Sequence, residues 1–548
     1  MRKSLFIEGT LIATIGIFIV KILGIIYVIP FYSIIGASGG ALYGYAYNIY
    51  NIFLSLSSIG IPLAISRLTS EYNALNKHYL KVKTYQIGRR LILILSIFSF
   101  LLLMFFAPNI AYLFIGNIKG GNTIEDITFV IRMIALSILI IPTLSVVKGY
   151  LQGHKYITVT SISQVIEQLV RVLVIILGSY IVIKVLNLPV KIGVGIAVFG
   201  ATIGGLVAYL YLLFKMNKVK KLMNIPKTIV DDEIEVPTKD IVKRILSYSL
   251  PFIFSSIILS LYDFVDLATV VKTLVNSLEY NVLEAETIMS IFSTWGNKLG
   301  TIVTIVATGL SMSLIPNITD SFVKGNLVDV RDKINRSLQI LLFTTIPMTI
   351  GLSVLALPLW TVFYGFNIFD AQIFAYYIFI SLFSSLITVC NVLLQSLNEQ
   401  KKMFKYIIIG FSIKIILNIP LMYLFDYIGL NASYGVITAT IIGFSSNIFL
   451  TLRYLSKKLQ VNYSDTLNKM FNIIFNILIM ITILMLFKLI IPIDTIDRFE
   501  ALFILLIYTL MGFLTYLVIS FKQGLITNIF GTLIVEKIIS KININHHR

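Results

Sequence analysis

Residues 91–106 read Leu91-Ile92-Leu93-Ile94-Leu95-Ser96-Ile97-Phe98-Ser99-Phe100-Leu101-Leu102-Leu103-Met104-Phe105-Phe106, and no charge interrupts the run before residue 115. About 20 apolar residues in helical form cross the hydrocarbon core of a bilayer. Thirteen further runs of this kind follow the same pattern. The fourteen lie at 10–34, 43–68, 88–115, 128–151, 158–183, 191–214, 245–271, 287–316, 337–364, 371–396, 405–428, 431–454, 470–491 and 500–521. The whole chain agrees: 57% of its 548 residues are hydrophobic and only 13% are charged. A soluble domain carries about 25% charge, and no water-soluble core of this length hides so much apolar surface. The sequence predicts an all-α integral membrane protein of about fourteen helices, which excludes a cytosolic enzyme, a secreted domain and a disordered scaffold.

The formal charge of +18 comes from 44 basic against 26 acidic residues. Nucleic acid is not the expected partner, because basic loops on one membrane side explain the excess. With the N-terminus inside, the loops and ends placed in the cytoplasm hold most of the lysines and arginines. The opposite loops hold Lys119, Lys184, Lys191, Lys272, Lys488 and Arg498. This asymmetry predicts an even number of spans with both termini cytoplasmic. Arg2 and Lys3 lead into a run with no small-residue cleavage site, so it reads as a retained first span. One cysteine, Cys390, leaves no disulfide to form.

The longest loop, 215–244, contains Asp231-Asp232-Glu233-Ile234-Glu235 and reads as a linker. It separates an N-terminal six-helix lobe, 1–214, from a second, 245–458, with two helices and a tail in 459–548. The lobes echo each other weakly: Lys148-Gly149-Tyr150-Leu151-Gln152-Gly153 precedes the fifth run and Asn391-Val392-Leu393-Leu394-Gln395-Ser396 the eleventh. Two six-helix units that both start inside are parallel repeats, an arrangement known from transporters.

The inventory of soluble chemistry is empty. There is no G-x-x-x-x-G-K-[ST] and no H-E-x-x-H. The four histidines, His78, His154, His546 and His547, form no spacing that suits a metal. No cofactor is expected beyond coupling to the membrane potential or to a monovalent cation.

Ionisable residues at membrane depth are costly and mark cavities or partners. Lys21 lies in the first run, Lys298 in the eighth and Lys414 in the eleventh, each without an acidic residue a turn away on its own helix. Glu167 and Arg171 sit four apart in the fifth run and share a face with Gln164. They either neutralise each other or belong to a site. Asp263 and Asp266, a turn apart in the seventh run, suit ion coupling, unless Asp266 is hydrated near the outer end. Arg67 and Arg132 lie near helix ends and are expected to snorkel. Lys21, Arg171, Lys298 and Lys414 together imply an anionic ligand, and a polyprenyl diphosphate headgroup meets that need. Each negative charge moved outward gains about 2.3 kcal/mol per 100 mV.

Several segments resemble a known family. Gly24-Ile25-Ile26-Tyr27-Val28-Ile29-Pro30-Phe31, Gly36-Ala37-Ser38-Gly39-Gly40-Ala41-Leu42-Tyr43 and Gly60-Ile61-Pro62-Leu63-Ala64-Ile65-Ser66-Arg67 are similar to polysaccharide-export and MurJ-type flippases. So are Tyr47-Asn48-Ile49-Tyr50, Lys148-Gly149-Tyr150-Leu151-Gln152-Gly153-His154 and Ser163-Gln164-Val165-Ile166-Glu167-Gln168-Leu169-Val170-Arg171. The chain resembles the multidrug/oligosaccharidyl-lipid/polysaccharide exporter superfamily along its length, and the stage V sporulation protein B group is a near neighbour. The resemblance implies fourteen helices, two six-helix lobes in a MATE-like V, a cationic cavity and alternating access. Its cargo would be a lipid-linked cell-wall precursor, lipid II foremost. Lys21 before Ile22-Leu23-Gly24 matches a basic motif of the MurJ branch, and Lys298 resembles that branch's eighth-helix arginine. Tyr27 and Val28 stand where the branch has an Arg-Asp pair, and nothing near Ser55–Ser57 matches its second-helix arginine.

The expected partners are the lipid-linked oligosaccharide, membrane lipids and the cell-wall synthesis or division machinery. The alternatives are export of another lipid-linked polysaccharide or a sporulation cortex precursor, and a multidrug antiporter with an acidic cavity. A membrane glycosyltransferase would need a large outer loop. A division scaffold would tolerate neutral residues at Lys21 and Lys298.

Overall fold

The computed structural model describes residues 19–55, 60–154, 156–219, 236–493 and 495–531. Arg2, Lys3, the acidic stretch 231–235, His546 and His547 lie outside the described residues. Every regular element among those described is helical, and each of the fourteen apolar runs overlaps helix. Eleven helices are long and apolar enough to cross a membrane, and twelve if the bent pair Ile19–Ile26 and Val28–Leu54 counts as one span. The expected fourteen is thus not reached among the described residues. The first run begins before residue 19, and residues 56–59 divide the second.

In chain order, α1 covers 19–35 and bends by 42° beside Tyr27. Gly36 then takes φ 69° and ψ −168°, a backbone state that side chains disfavour. It ends α1 and turns the chain into α2, residues 37–54 with Gly60–Ala74. There follow α3 His78–Ile115, α4 Ile124–Gly153, α5 Ile157–Val185 and α6 Val190–Asn217. A capping box starts α4: Thr123 accepts from the Asp126 amide, and Asp126 accepts from the Thr123 amide. Next come α7 Thr238–Ser277 and α8 Val282–Val323, which contains a π-helical turn at Ile291–Trp295. They are followed by α9 Leu327–Val354, α10 Ile368–Ser396, α11 Gln400–Tyr427, α12 Ser433–Leu459, α13 Ser464–Lys488 and α14 Arg498–Lys522.

The helices gather into two compact units, Met1–Trp295 and Gly296–Arg548. The sequence places the boundary at 215–244, ahead of α7, whereas in the structure α7 packs with the first unit. Close approach explains this. A Cβ at Gly60 on α2 would lie 2.6 Å from the Ser249 carbonyl of α7. Arg244 on α7 pairs with Glu71 at 2.7 Å and donates to the Tyr72 hydroxyl at 2.9 Å. Arg67 stacks over Tyr248 at 4.3 Å. The start of α8 is bound in as well: Thr294 donates to the Gly40 carbonyl at 2.9 Å, and a Cβ at Gly40 would meet the Trp295 ring.

Within the first unit, Ile61, Ile65, Leu68, Leu144, Val147, Leu151, Leu212 and Ile245 form one core. Gly149 and Gly153 let α4 lie against α2, with their Cβ positions 2.4 Å from the Pro62 carbonyl and 2.7 Å from the Ser66 carbonyl. In the second unit, α9, α13 and α14 share a core that includes Phe343, Ile477, Tyr508 and Tyr516. The Tyr516 hydroxyl donates to the Phe343 carbonyl at 2.9 Å.

Candidate functional site

Gly153 ends α4 and Ile157 opens α5, so these two helices run antiparallel side by side. Lys148 lies nearer the connection than Glu167 does, so the long lysine side chain reaches along the helix pair to the carboxylate. Its ammonium reaches Glu167 Oε2 at 2.8 Å. The other carboxylate oxygen, Oε1, accepts from Arg171 Nη2 at 2.7 Å. One carboxylate is therefore shared by two cations. All three side chains are only 13–15% exposed. The cluster carries one net positive charge in the middle of a span, where an uncompensated charge is costly.

Aromatic side chains of α2 face the guanidinium. Arg171 Nη1 lies 3.5 Å from the Tyr47 hydroxyl, Tyr47 stacks on Tyr43 with ring centroids 5.1 Å apart, and Tyr50 stands edge-on to Tyr47 at 5.5 Å. Arg171 Nε is buried and has no hydrogen-bond partner among the described residues. A buried donor left empty costs about 1–3 kcal/mol, so an acceptor arriving there would be welcome. The α5 backbone at this turn is held by α6: Gly204 packs on the Glu167 carbonyl and Gly200 on the Arg171 carbonyl.

The other residues named from the sequence take varied places. Lys21 is half-buried on α1. Gly24, one turn on, faces Gln168 of α5, whose Nε2 would be 3.7 Å from a Cβ there. Gln164 is half-buried on α5, and Lys298 is half-buried on α8 in the second unit. Asp263 is half-buried and Asp266 is buried at 9% exposure, so Asp266 is not a hydrated outer residue. Lys414 is wholly buried. Its ammonium donates to the Val436 carbonyl at 3.1 Å and to Thr440 Oγ1 at 2.6 Å, inside the α11–α12 contact and not on an open wall. Arg67 and Arg132 are exposed, and Arg132 Nε donates to the Met104 carbonyl at 3.3 Å. Reading residues by their own helix overlooked Lys148 and Tyr47. Lys148 stands in a stretch that carries the family resemblance, and the short α4–α5 connection makes its helix the neighbour of the one that bears Glu167. Tyr47 lies in Tyr47-Asn48-Ile49-Tyr50, a stretch that carries the family resemblance, but nothing in its own helix pattern brings it to Arg171.

The second unit contains a cavity of about 320 Å³ whose lining is nearly all apolar. Pro347 and Gly351 of α9, Met480 and Leu484 of α13, and Gly512 and Tyr516 of α14 form its walls.

A multi-pass chain whose described residues are all helical where regular, with charges gathered inside the helix packing of one unit and an apolar cavity in the other, is a membrane transporter by class. Residues 6–322 match the family described as polysaccharide biosynthesis protein, and the chain belongs to that family. It is 33% identical over 453 residues to the lipid II flippase MurJ of Bacillus subtilis (strain 168), covering 81% of each chain. Its fold is similar to a solved lipid II flippase MurJ in an inward closed conformation: TM-score 0.64, 18% identity, 94% of this chain and 99% of that one. It is also similar to an inward-facing multidrug resistance MATE family transporter of the MOP superfamily, with TM-score 0.63, 14% identity, and coverage of 82% and 98%. At these identities the two solved structures speak for the fold alone.

Proposed function

We propose that this protein flips an undecaprenyl-diphosphate-linked cell-wall precursor, lipid II foremost, across the plasma membrane by alternating access. The observation that carries the reading is the Lys148–Glu167–Arg171 cluster, with net positive charge and an empty guanidinium donor in the middle of a span. A diphosphate supplies the missing negative charge and acceptors, and arginine matches phosphate geometry well. The 33% identity to the Bacillus subtilis flippase supports the same cargo.

Lys21, Arg171 and Lys298 bind the headgroup in this reading. Glu167 and Gln164 orient Arg171. Lys414 contributes through the α11–α12 packing, and Asp263 and Asp266 couple an ion. The 320 Å³ apolar cavity seats part of the polyprenyl tail, since apolar lining favours apolar cargo. Both termini face the cytoplasm in this reading, which the loop charges support. Export of a headgroup with two negative charges then runs down an inside-negative potential, at about 2.3 kcal/mol per charge per 100 mV. A carrier of cationic drugs has the opposite need, a net acidic cluster, and the α4–α5 cluster is net basic.

The test is depletion of the protein in cells that lack any other flippase, with lipid II assayed on each leaflet and complementation by wild type, Lys21→Ala and Lys298→Ala. Loss of outer-leaflet lipid II on depletion, restored by wild type and not by the variants, is expected. Unchanged outer-leaflet lipid II would defeat the proposal.

A further inference from the structure

We infer that Lys148 sets the charge of the headgroup site by occupying half of Glu167, which leaves Arg171 only partly neutralised and able to take a diphosphate. The inference rests on the flippase reading above and assigns a residue that the sequence did not single out.

The cluster holds one cation more than an ion pair needs. Glu167 and Arg171 lie four apart on one helix and already form a complete ion pair at 2.7 Å. A pair kept for structure needs no second cation. Lys148 nevertheless spends its only described contact on the same carboxylate, at 2.8 Å and from a different helix. Removing a further ammonium from water at this depth is unfavourable. No second carboxylate offsets that cost, because the described hydrogen bonds and ion pairs give Lys148 no other acceptor. The geometry shows what the arrangement achieves. With one oxygen held by Lys148, Glu167 meets Arg171 through a single nitrogen, and Arg171 Nε is left without an acceptor. A carboxylate released from Lys148 could turn both oxygens to the guanidinium, in the bidentate mode that carboxylates and arginines favour. The cluster would then be neutral and its donors occupied.

Each member therefore has a distinct effect on cargo. Lys148→Met leaves a neutral Glu167–Arg171 pair, so the diphosphate must compete with Glu167 for the guanidinium. Glu167→Gln leaves two positive charges, which hold the diphosphate more tightly and release it more slowly. Lys148→Met with Glu167→Gln returns the net charge to +1 and frees Arg171. Lys148→Arg keeps the charge.

The experiment uses the full chain in proteoliposomes that contain lipid II at varied mole fraction, with initial flipping rates fitted for KM and kcat and melting temperatures recorded alongside. Lys148→Met should raise KM by about tenfold or more, the equivalent of about 1.4 kcal/mol of lost charge attraction. Glu167→Gln should lower both KM and kcat. The double variant and Lys148→Arg should lie within about threefold of wild-type KM, inside 1 kcal/mol. A purely structural lysine would change melting temperature and give no opposed KM shifts. If wild type flips lipid II and Lys148→Met keeps its KM within about twofold, the inference fails and the flippase reading stands. If wild type flips none, both fail. Should Lys148→Met not fold, the double variant decides: a wild-type-like KM supports the inference, and a raised one overturns it.

Discussion

Replacing Gly204 by alanine tests whether helix packing holds the headgroup site in position. A Cβ at this position on α6 would lie 2.6 Å from the Glu167 carbonyl oxygen, 3.2 Å from the Arg171 amide nitrogen and 3.3 Å from Arg171 Cβ. Contacts below 3.0 Å essentially do not occur for real Cβ atoms, and a helix carbonyl cannot swing aside as a flexible side chain can. The α5 turn carrying Glu167 and Arg171 must then retreat by about 0.4 Å or more, and overpacking of this kind costs about 1–3 kcal/mol. Alanine's better helix propensity returns up to about 1 kcal/mol, so a net loss of about 1–2 kcal/mol is expected. Function should suffer along with stability. A shift of about 1 Å in a positioned group can cost about 100-fold, so roughly tenfold slower flipping follows from a shift half that size. Gly309→Ala is the control, because nothing lies within 4 Å of its Cβ position. The assay pairs thermal melting in detergent with lipid II flipping in proteoliposomes. A Gly204→Ala protein that melts and flips like wild type, and like Gly309→Ala, would refute the reasoning.

Three further outcomes are expected. Glu286→Ala removes the acceptor for Ser38 Oγ, 2.6 Å away, and for the Asn122 amide; with two donors stranded in a site where Glu286 is 2% exposed, melting should fall by an amount equivalent to about 2–4 kcal/mol, and an unchanged melt would contradict this. Gly351→Phe places a ring where the glycine has open space, in the wall of the apolar cavity; flipping of lipid II should drop with little change in melting, and unaltered flipping would show that the cavity does not seat the tail. Glu399, between α10 and α11, has its carboxyl held below the usual carboxylate range: burial pushes it up, but the bonds from Lys458 and Tyr454 and the Lys458 charge outweigh burial. A lowered folded value means the contribution is present above the unfolded value of about 4 and is lost as pH falls through the folded one, so wild type should lose melting temperature on acidification more steeply than Glu399→Gln, and identical acid profiles would refute the assignment.

The helices were legible because a span announces itself by length and apolarity alone, as the uncharged stretch after Arg90 does. The break between the first two helices was legible only coarsely: the runs leave 35–42 between them, whereas helix resumes directly after Gly36. The division of the chain was not. Loop composition marks 215–244 as a linker, yet α7 belongs with the first unit through contacts such as Gly60 against Ser249 and Arg244 against Glu71, which involve residues far apart in sequence. The site was half legible. Glu167 and Arg171 appear as a pair because helical spacing alone brings them together. Lys148 joins them from the neighbouring helix, and Lys414 turns out to be enclosed by Val436 and Thr440 of α12. A single helix's pattern says how far apart its own side chains are and nothing of what the next helix offers them.

The most direct measurement is the rate at which the purified, full-length protein moves fluorescent lipid II between leaflets of proteoliposomes under an imposed inside-negative potential, compared with Lys148→Met, Arg171→Ala and protein-free vesicles. Wild-type movement well above the protein-free rate, with both variants slowed severalfold or more at low lipid II, is the predicted result. Movement no faster than in protein-free vesicles, or equal rates for wild type and Arg171→Ala, would contradict the account.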